Sequence, residues 1–114
     1  MIQSALLIFA IAAIGGMLLA SRVLRGKLAP WSLSLLHAAL GAAGLIVLVA
    51  MVWNGAGASR ILAALGLLVI AALGGFFLAS FHLRDKIAPR AIVLVHAGVA
   101  VAGFLTLLSA ALAL

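Results

Sequence analysis

Four long apolar stretches, separated by short polar breaks, make up almost the whole chain. A hydrocarbon layer of roughly 30 Å is crossed by about 20 helical residues that each rise 1.5 Å. Four segments reach that length: 2–24, 29–53, 59–83 and 88–112. Glycines mark the first two breaks and Arg-Asp-Lys marks the third. Pro30 and Pro89 follow the first and third breaks, where a first helical turn tolerates proline. The pattern predicts an all-α fold, a single transmembrane domain over residues 1–114 that forms an up-and-down four-helix bundle.

Many residues recur 59 positions further along the chain, and we call two positions related by this offset counterparts. His37 recurs as His96, and the same offset relates several other groups without a gap: Gly15-Gly16 and Gly74-Gly75, Leu19-Ala20-Ser21 and Leu78-Ala79-Ser80, and Ala29-Pro30 and Ala88-Pro89. The sequence therefore predicts two tandem two-helix repeats, at about 1–55 and about 59–114. Because each repeat holds two helices, both copies should enter the membrane in the same direction, as parallel repeats.

The composition indicates an integral membrane protein. Hydrophobic residues make up 69% of the chain and charged residues 7%, and the mean hydropathy is +1.52, which does not suit a water-facing surface. Trp31 and Trp53 bracket the second segment, as expected for tryptophans at the two membrane interfaces. The absence of cysteine excludes disulfides, thiolate metal sites and covalently attached c-type haem.

The positive charges are distributed unequally between the two ends of the predicted bundle. Only Arg60 lies on one side, and the other six basic residues fall at the first and third breaks: Arg22, Arg25, Lys27, Arg84, Lys86 and Arg90. By the positive-inside rule, both termini should lie outside the cytoplasm, in a bacterial inner membrane. The net charge of +6 is thus a topology signal and does not support binding of nucleic acid.

His37 and His96 are the strongest candidates for function. Each lies seven residues after its proline, about 10 Å of helix from the basic interface, so both should lie at one depth. Short connections place the second and fourth helices diagonally, so the two imidazoles can point at each other across the axis. An ionisable residue inside a membrane is a functional hypothesis. The alternative is a neutral imidazole bonded to a carbonyl, which duplication would copy just as faithfully.

Small residues surround the predicted histidine layer. Glycine pairs in the first and third helices fall near the depth of the histidines: Gly15, Gly16, Gly74 and Gly75. They predict close approach to a flat group, or the small-residue packing common between membrane helices. On the histidine face, small residues follow at i+4 and i+7, and they are Gly41, Gly44, Ala100 and Gly103. The helices should therefore close together beyond the histidines.

Charge restricts what a pair of histidines can bind here. A bare divalent metal held by two neutral imidazoles, with no acidic residue in the segments, would leave two uncompensated charges in hydrocarbon. A ferrous porphyrin is neutral overall, so two imidazoles suffice as axial ligands through the haem iron. Its carboxylates need cationic partners, and Arg22, Arg25 and Arg84 lie at the nearby interface. One six-coordinate haem b held by His37 and His96 satisfies these constraints.

This layout resembles the bis-histidyl b-type cytochromes among small four-helix bacterial membrane proteins. The resemblance is carried by His37, His96 and the glycine pairs, and it implies an electron-transfer subunit with one haem clamped between the second and fourth helices near the cytoplasmic side. It implies a quinone or a redox protein as partner, within a larger complex or a homo-oligomer, and it favours an electron-transfer or accessory subunit over a free-standing enzyme. Larger members carry two histidines per helix and two haems, whereas this chain can ligate one.

Two other functions compete with haem binding as interpretations of the sequence. A structural or accessory subunit of a larger membrane complex, with no cofactor of its own, stays open. A small multidrug-type exporter is disfavoured, because such carriers need a membrane carboxylate. His82, whose counterpart is Val23, is predicted to be a solvated interfacial histidine, with a propionate partner or proton relay as the alternatives.

Overall fold

The protein, described here by a computed structural model covering residues 1–113, consists of four antiparallel α-helices. They are α1 (Ile2–Leu24), α2 (Trp31–Trp53), α3 (Ser59–Leu83) and α4 (Arg90–Leu112). Each is long and apolar enough to cross a membrane. The molecule is 42 Å long, close to the 40–45 Å of a bilayer with its headgroups. The predicted all-α four-helix bundle, with four candidate membrane spans, is confirmed.

Two helices begin later than predicted, α2 at Trp31 and α4 at Arg90. The two prolines do not lie in the first helical turn but at the N-cap, with extended ψ angles of 141° at Pro30 and 137° at Pro89. An N-cap residue has non-helical dihedrals while its carbonyl accepts the first helical hydrogen bond. The carbonyl of Pro30 accepts such a hydrogen bond from the N–H of Ser34 at 3.2 Å.

The first three helices end in the same left-handed turn. The left-handed residue is Gly26 (φ +77°) after α1, Gly55 (φ +95°) after α2 and Asp85 (φ +54°) after α3. After α1, the N–H of Lys27 donates to the carbonyl of Arg22 at 3.0 Å, which closes a Schellman motif. Asp85 is the counterpart of Gly26, and aspartate tolerates this conformation better than most side chains.

The helices form two hairpins that pack side by side. α1 packs on α2 and α3 on α4, and the hairpins meet along the α1–α4 and α2–α3 edges. In the described chain no Cα atom of α2 lies within 8 Å of one in α4, and the same holds for α1 and α3. α2 and α4 are therefore diagonal, as predicted. We call the end with connections 25–30 and 84–89 the basic end, and the end with connection 54–58 and both termini the opposite end.

The buried core fills the half of the bundle next to the opposite end. Its ten residues form five pairs of counterparts: Ile2 and Ile61, Ala5 and Ala64, Phe9 and Leu68, Leu48 and Leu107, and Met51 and Ala110. A Cβ at Gly44 would lie 2.6 Å from the Phe9 ring, and one at Gly103 would lie 2.8 Å from Leu68. The predicted closure of the helices beyond the histidines is confirmed at these two glycines.

The half next to the basic end is packed less tightly. Among the described residues, none of α1 beyond Ala12 and none of α3 beyond Ala71 is buried. In that half only Ala29 and Val93 are buried. The packed core thus ends near the depth of the histidines, which leaves the basic half free to adjust.

Candidate functional site

The two predicted histidines face each other across the bundle. The ring centroids of His37 on α2 and His96 on α4 are 6.4 Å apart, with the ring planes at 82°. Both side chains are half-buried. Because the backbones of α2 and α4 stay more than 8 Å apart, the imidazoles themselves span the space between the diagonal helices at this depth.

The His37 ring is fixed by a hydrogen bond to α1. Its Nδ1 donates to the carbonyl oxygen of Ala12 at 2.8 Å. A carbonyl only accepts, so the neutral ring carries its proton on Nδ1 and keeps a lone pair on Nε2. Histidines that bind metals commonly hold their second nitrogen in this way, which fixes the tautomer and the ring orientation. His37 is therefore in the form that can act as a ligand through Nε2.

His96 stands in the same relation to α3 but without the bond. Ala71, the counterpart of Ala12, lies beside the ring, yet Nδ1 reaches hydrogen-bonding geometry with nothing in residues 1–113. A buried polar atom without a partner costs about 1–3 kcal/mol. The two rings are thus unequal, and the His96 ring is held less firmly.

The glycine pairs give the imidazoles room. A Cβ at Gly16 would lie 2.9 Å from His37 Cε1, and one at Gly75 would lie 3.3 Å from His96 Cε1. A Cβ at Gly15 would lie 3.8 Å from His37 Cβ, and one at Gly74 would lie 3.5 Å from His96 Nδ1. The groups that these four glycines approach are the histidine side chains. A larger residue at position 16 would displace the His37 ring.

The three predicted arginines lie exposed at the basic end, where α1 and α3 finish. Arg22 lies in the last turn of α1. The Nε of Arg25 donates to the carbonyl of Ser21 at 2.9 Å, and that of Arg84 donates to the carbonyl of Ser80 at 3.1 Å. The histidines lie nearest this end of the bundle. His37 is six residues after the start of α2 at Trp31, which is about 9 Å along the helix axis.

One cluster was missed by the sequence reasoning. The indole of Trp31 and the imidazole of His82 stack in parallel, with centroids 3.8 Å apart and planes at 4°. His82 Nδ1 and Ser34 Oγ share a hydrogen bond of 3.1 Å, whose donor depends on the tautomer. His82 lies in the last turn of α3 at the basic end, as expected of an interfacial histidine, but it is half-buried by these contacts and not fully solvated. The available signal was that Trp31 and His82 lie at one membrane edge on consecutive helices.

Two hollows open on the surface of the described bundle, and neither separates the two rings. One of about 470 Å³ lies between α3 and α4, is lined almost entirely by apolar groups, and is bounded in part by Gly74, Val95 and His96. The other, about 450 Å³, lies beside Trp53 near the opposite end. Neither hollow therefore supplies room for a flat ligand between the imidazoles.

The donor set suits a centre that brings its own equatorial ligands. Residues 1–113 contain no cluster of three or more histidine, cysteine or acidic side chains, so a bare ion would lack a full protein shell. Two imidazoles bonded at 2.0–2.1 Å on opposite sides of one metal would place their centroids roughly 6.3 Å apart. The 6.4 Å separation of His37 and His96 is close to that spacing.

Comparison of the chain with protein-family models, with curated proteins and with solved structures gave no match.

Proposed function

We propose that the chain is a membrane subunit that would bind one haem b between α2 and α4, near the basic end, with His37 and His96 as the residues that hold the iron. The observation that carries this proposal is the pair of imidazoles on diagonal helices with centroids 6.4 Å apart. The tautomer of His37 adds support, because its Nδ1–H donates to the Ala12 carbonyl and its Nε2 keeps the lone pair that would bind the iron.

The charge of the site favours haem over a bare ion. The described chain places no acidic side chain near the two rings, and both imidazoles are neutral ligands. The porphyrin cancels two charges of the iron, and the bound haem would supply one-electron oxidation and reduction. The task of the protein is then to hold His37 Nε2 and His96 Nε2 at one depth. The carbonyl of Ala12 orients the His37 ring, and Ala71, its counterpart, would do the same for His96 once the ring turned toward it.

The loose packing of the half next to the basic end would make room for the haem. The tight core lies in the half next to the opposite end, and among the described residues the basic half has few buried side chains. The two hairpins can therefore separate near the histidines while the other half stays packed. Gly15, Gly16, Gly74 and Gly75 let α1 and α3 approach whatever lies in the histidine layer.

The basic end offers partners for the haem carboxylates. Arg22, Arg25 and Arg84 are exposed there, and Arg25 and Arg84 are bonded only to carbonyls or a hydroxyl of their own helices. A bidentate pair with a carboxylate is stronger than such bonds. These arginines would turn from their own helices to the propionates.

The proposed setting is a bacterial inner membrane with the basic end in the cytoplasm and both termini outside. The support is the unequal distribution of basic residues. The five pairs of counterparts in the core favour the duplication of a two-helix unit in parallel orientation. A single haem on one side would exchange electrons with a quinone or a redox protein and would not carry them across the membrane unaided.

Haem content of the purified protein tests the proposal. The chain is expressed in haem-replete cells, and haem per chain is measured for the wild type and for His37→Ala, His96→Ala and His82→Ala. We expect one haem per chain in the wild type and in His82→Ala, which keeps both ligands, and a large loss in the other two. A wild-type protein without haem would contradict the proposal and favour a structural or accessory subunit, for which all four proteins fold alike.

A further inference from the structure

Trp31, Ser34 and His82, which we call the interfacial cluster, join the two hairpins at the basic end. Trp31 and Ser34 lie in the first turns of α2, and His82 lies in the last turn of α3. The ring stack at 3.8 Å and the hydrogen bond at 3.1 Å both cross from one helix to the other. The α2–α3 edge is therefore fastened by directional contacts as well as by apolar packing.

Within residues 1–113, the α1–α4 edge has neither a comparable ring stack nor a comparable hydrogen bond. The counterparts of Trp31, Ser34 and His82 are Arg90, Val93 and Val23. Valine neither stacks nor forms hydrogen bonds through its side chain. Within residues 1–113, the interhelical side-chain hydrogen bonds join α1 to α2, α2 to α3 and α3 to α4, but none joins α1 to α4.

The charges at the two edges differ as well. Arg22 in α1 is the counterpart of Phe81 in α3, and Arg90 in α4 is the counterpart of Trp31 in α2. The helices α1 and α4 thus carry two exposed cations at the positions where α3 and α2 carry aromatic residues. Cations at a membrane interface attract amphiphiles with an acidic headgroup.

We infer that the bundle opens at its basic end along one edge only: α1 parts from α4 while the interfacial cluster holds α2 to α3. The opening connects the lipid phase with the histidine layer, and Arg22 and Arg90 favour an amphiphile that carries an acidic group. The mechanism is a hinge, because the core near the opposite end keeps all four helices together. This asymmetry does not depend on which ligand the histidines hold.

Distances between spin labels test the inference, and the chain has no native cysteine to interfere. Labels at Ser32→Cys and Leu83→Cys report on the α2–α3 edge. Labels at their counterparts, Ala91→Cys and Leu24→Cys, report on the α1–α4 edge. We expect a narrow distance distribution for the first pair and a broad one for the second, measured in lipid nanodiscs without haem.

Removal of the cluster supplies the decisive comparison. His82→Val copies Val23, so it should broaden the distribution of the 32–83 pair until it resembles that of the 24–91 pair, which should not change. Ser34→Ala removes the hydrogen bond but keeps the stack, so it should broaden the 32–83 distribution less. Far-UV circular dichroism verifies that each variant is folded. Equal widths in the wild type, or no broadening in a folded His82→Val protein, would overturn the inference whether or not haem binds.

Discussion

Gly16→Ala is the substitution that probes the histidine layer most sharply. The added Cβ would lie 2.9 Å from His37 Cε1, whereas carbon atoms pack well at about 3.5–4.0 Å. The ring must therefore retreat by about 0.6–1.1 Å to restore an ordinary contact. It cannot do so freely, because its Nδ1 is bonded to the carbonyl of Ala12 at 2.8 Å, and a shift of that size stretches the bond to or beyond its useful length.

Two destabilising contributions and one stabilising contribution determine how far Gly16→Ala lowers the free energy of unfolding. Overpacking at a close contact costs about 1–3 kcal/mol, and loss of the hydrogen bond costs about 0.5–1.5 kcal/mol. Alanine is a better helix former than glycine by about 0.8–1.0 kcal/mol, which offsets part of the loss. Gly16→Ala should therefore lower the free energy of unfolding by about 2 kcal/mol. Gly41→Ala, where a Cβ meets nothing within 4 Å, should raise it by about 0.5–1 kcal/mol.

Reversible unfolding in mixed detergent micelles, followed by far-UV circular dichroism, measures both variants. A double-mutant cycle sharpens the comparison, since Gly16→Ala in a His37→Ala background should lose its penalty and behave like Gly41→Ala. Equal stability of Gly16→Ala and Gly41→Ala in the native background would refute the reasoning. So would a penalty that persists after His37 is removed.

Three further outcomes are expected. Asp85→Gly should stabilise the fold by about 0.5–1 kcal/mol, because φ at this position is +54°. Gly26→Ala, at φ +77°, should destabilise the fold by about 1 kcal/mol. Unfolding in micelles measures both variants, and a stability equal to that of the wild type in each would contradict the left-handed turns. Gly103→Ala should cost about 1–3 kcal/mol in the same assay, because its Cβ would lie 2.8 Å from Leu68; a neutral result would contradict the close packing. Lys27→Cys should react with a membrane-impermeant thiol reagent in inverted vesicles and not in spheroplasts; the reverse result would place the basic end outside.

The spans and the diagonal arrangement could be predicted from the sequence for simple physical reasons. Apolar runs as long as the bilayer is thick define the helices, and short connections force sequential helices to be antiparallel neighbours. The predicted starts of α2 and α4 are two residues too early, because proline suits the first turn and the N-cap almost equally well. The depth of His37 and His96 follows from their equal distance from Pro30 and Pro89.

The side-chain partners of the site could not be predicted in this way. A membrane helix is apolar all round, so its pattern does not fix how it rotates about its own axis. That rotation decides whether His37 reaches Ala12, and whether His82 stacks on Trp31 of the neighbouring helix. The different environments of His37 and His96 were also hidden, because the sequence around them is so similar.

The ferric absorption spectrum of the haem-loaded protein and of its two single-histidine variants tests the central claim most directly, because it reports how many side chains bind the iron. We expect a six-coordinate low-spin spectrum for the wild type. Both His37→Ala and His96→Ala should instead give a five-coordinate high-spin spectrum or bind no haem. A low-spin spectrum that survives in either variant would contradict the claim that these two residues clamp one haem between α2 and α4.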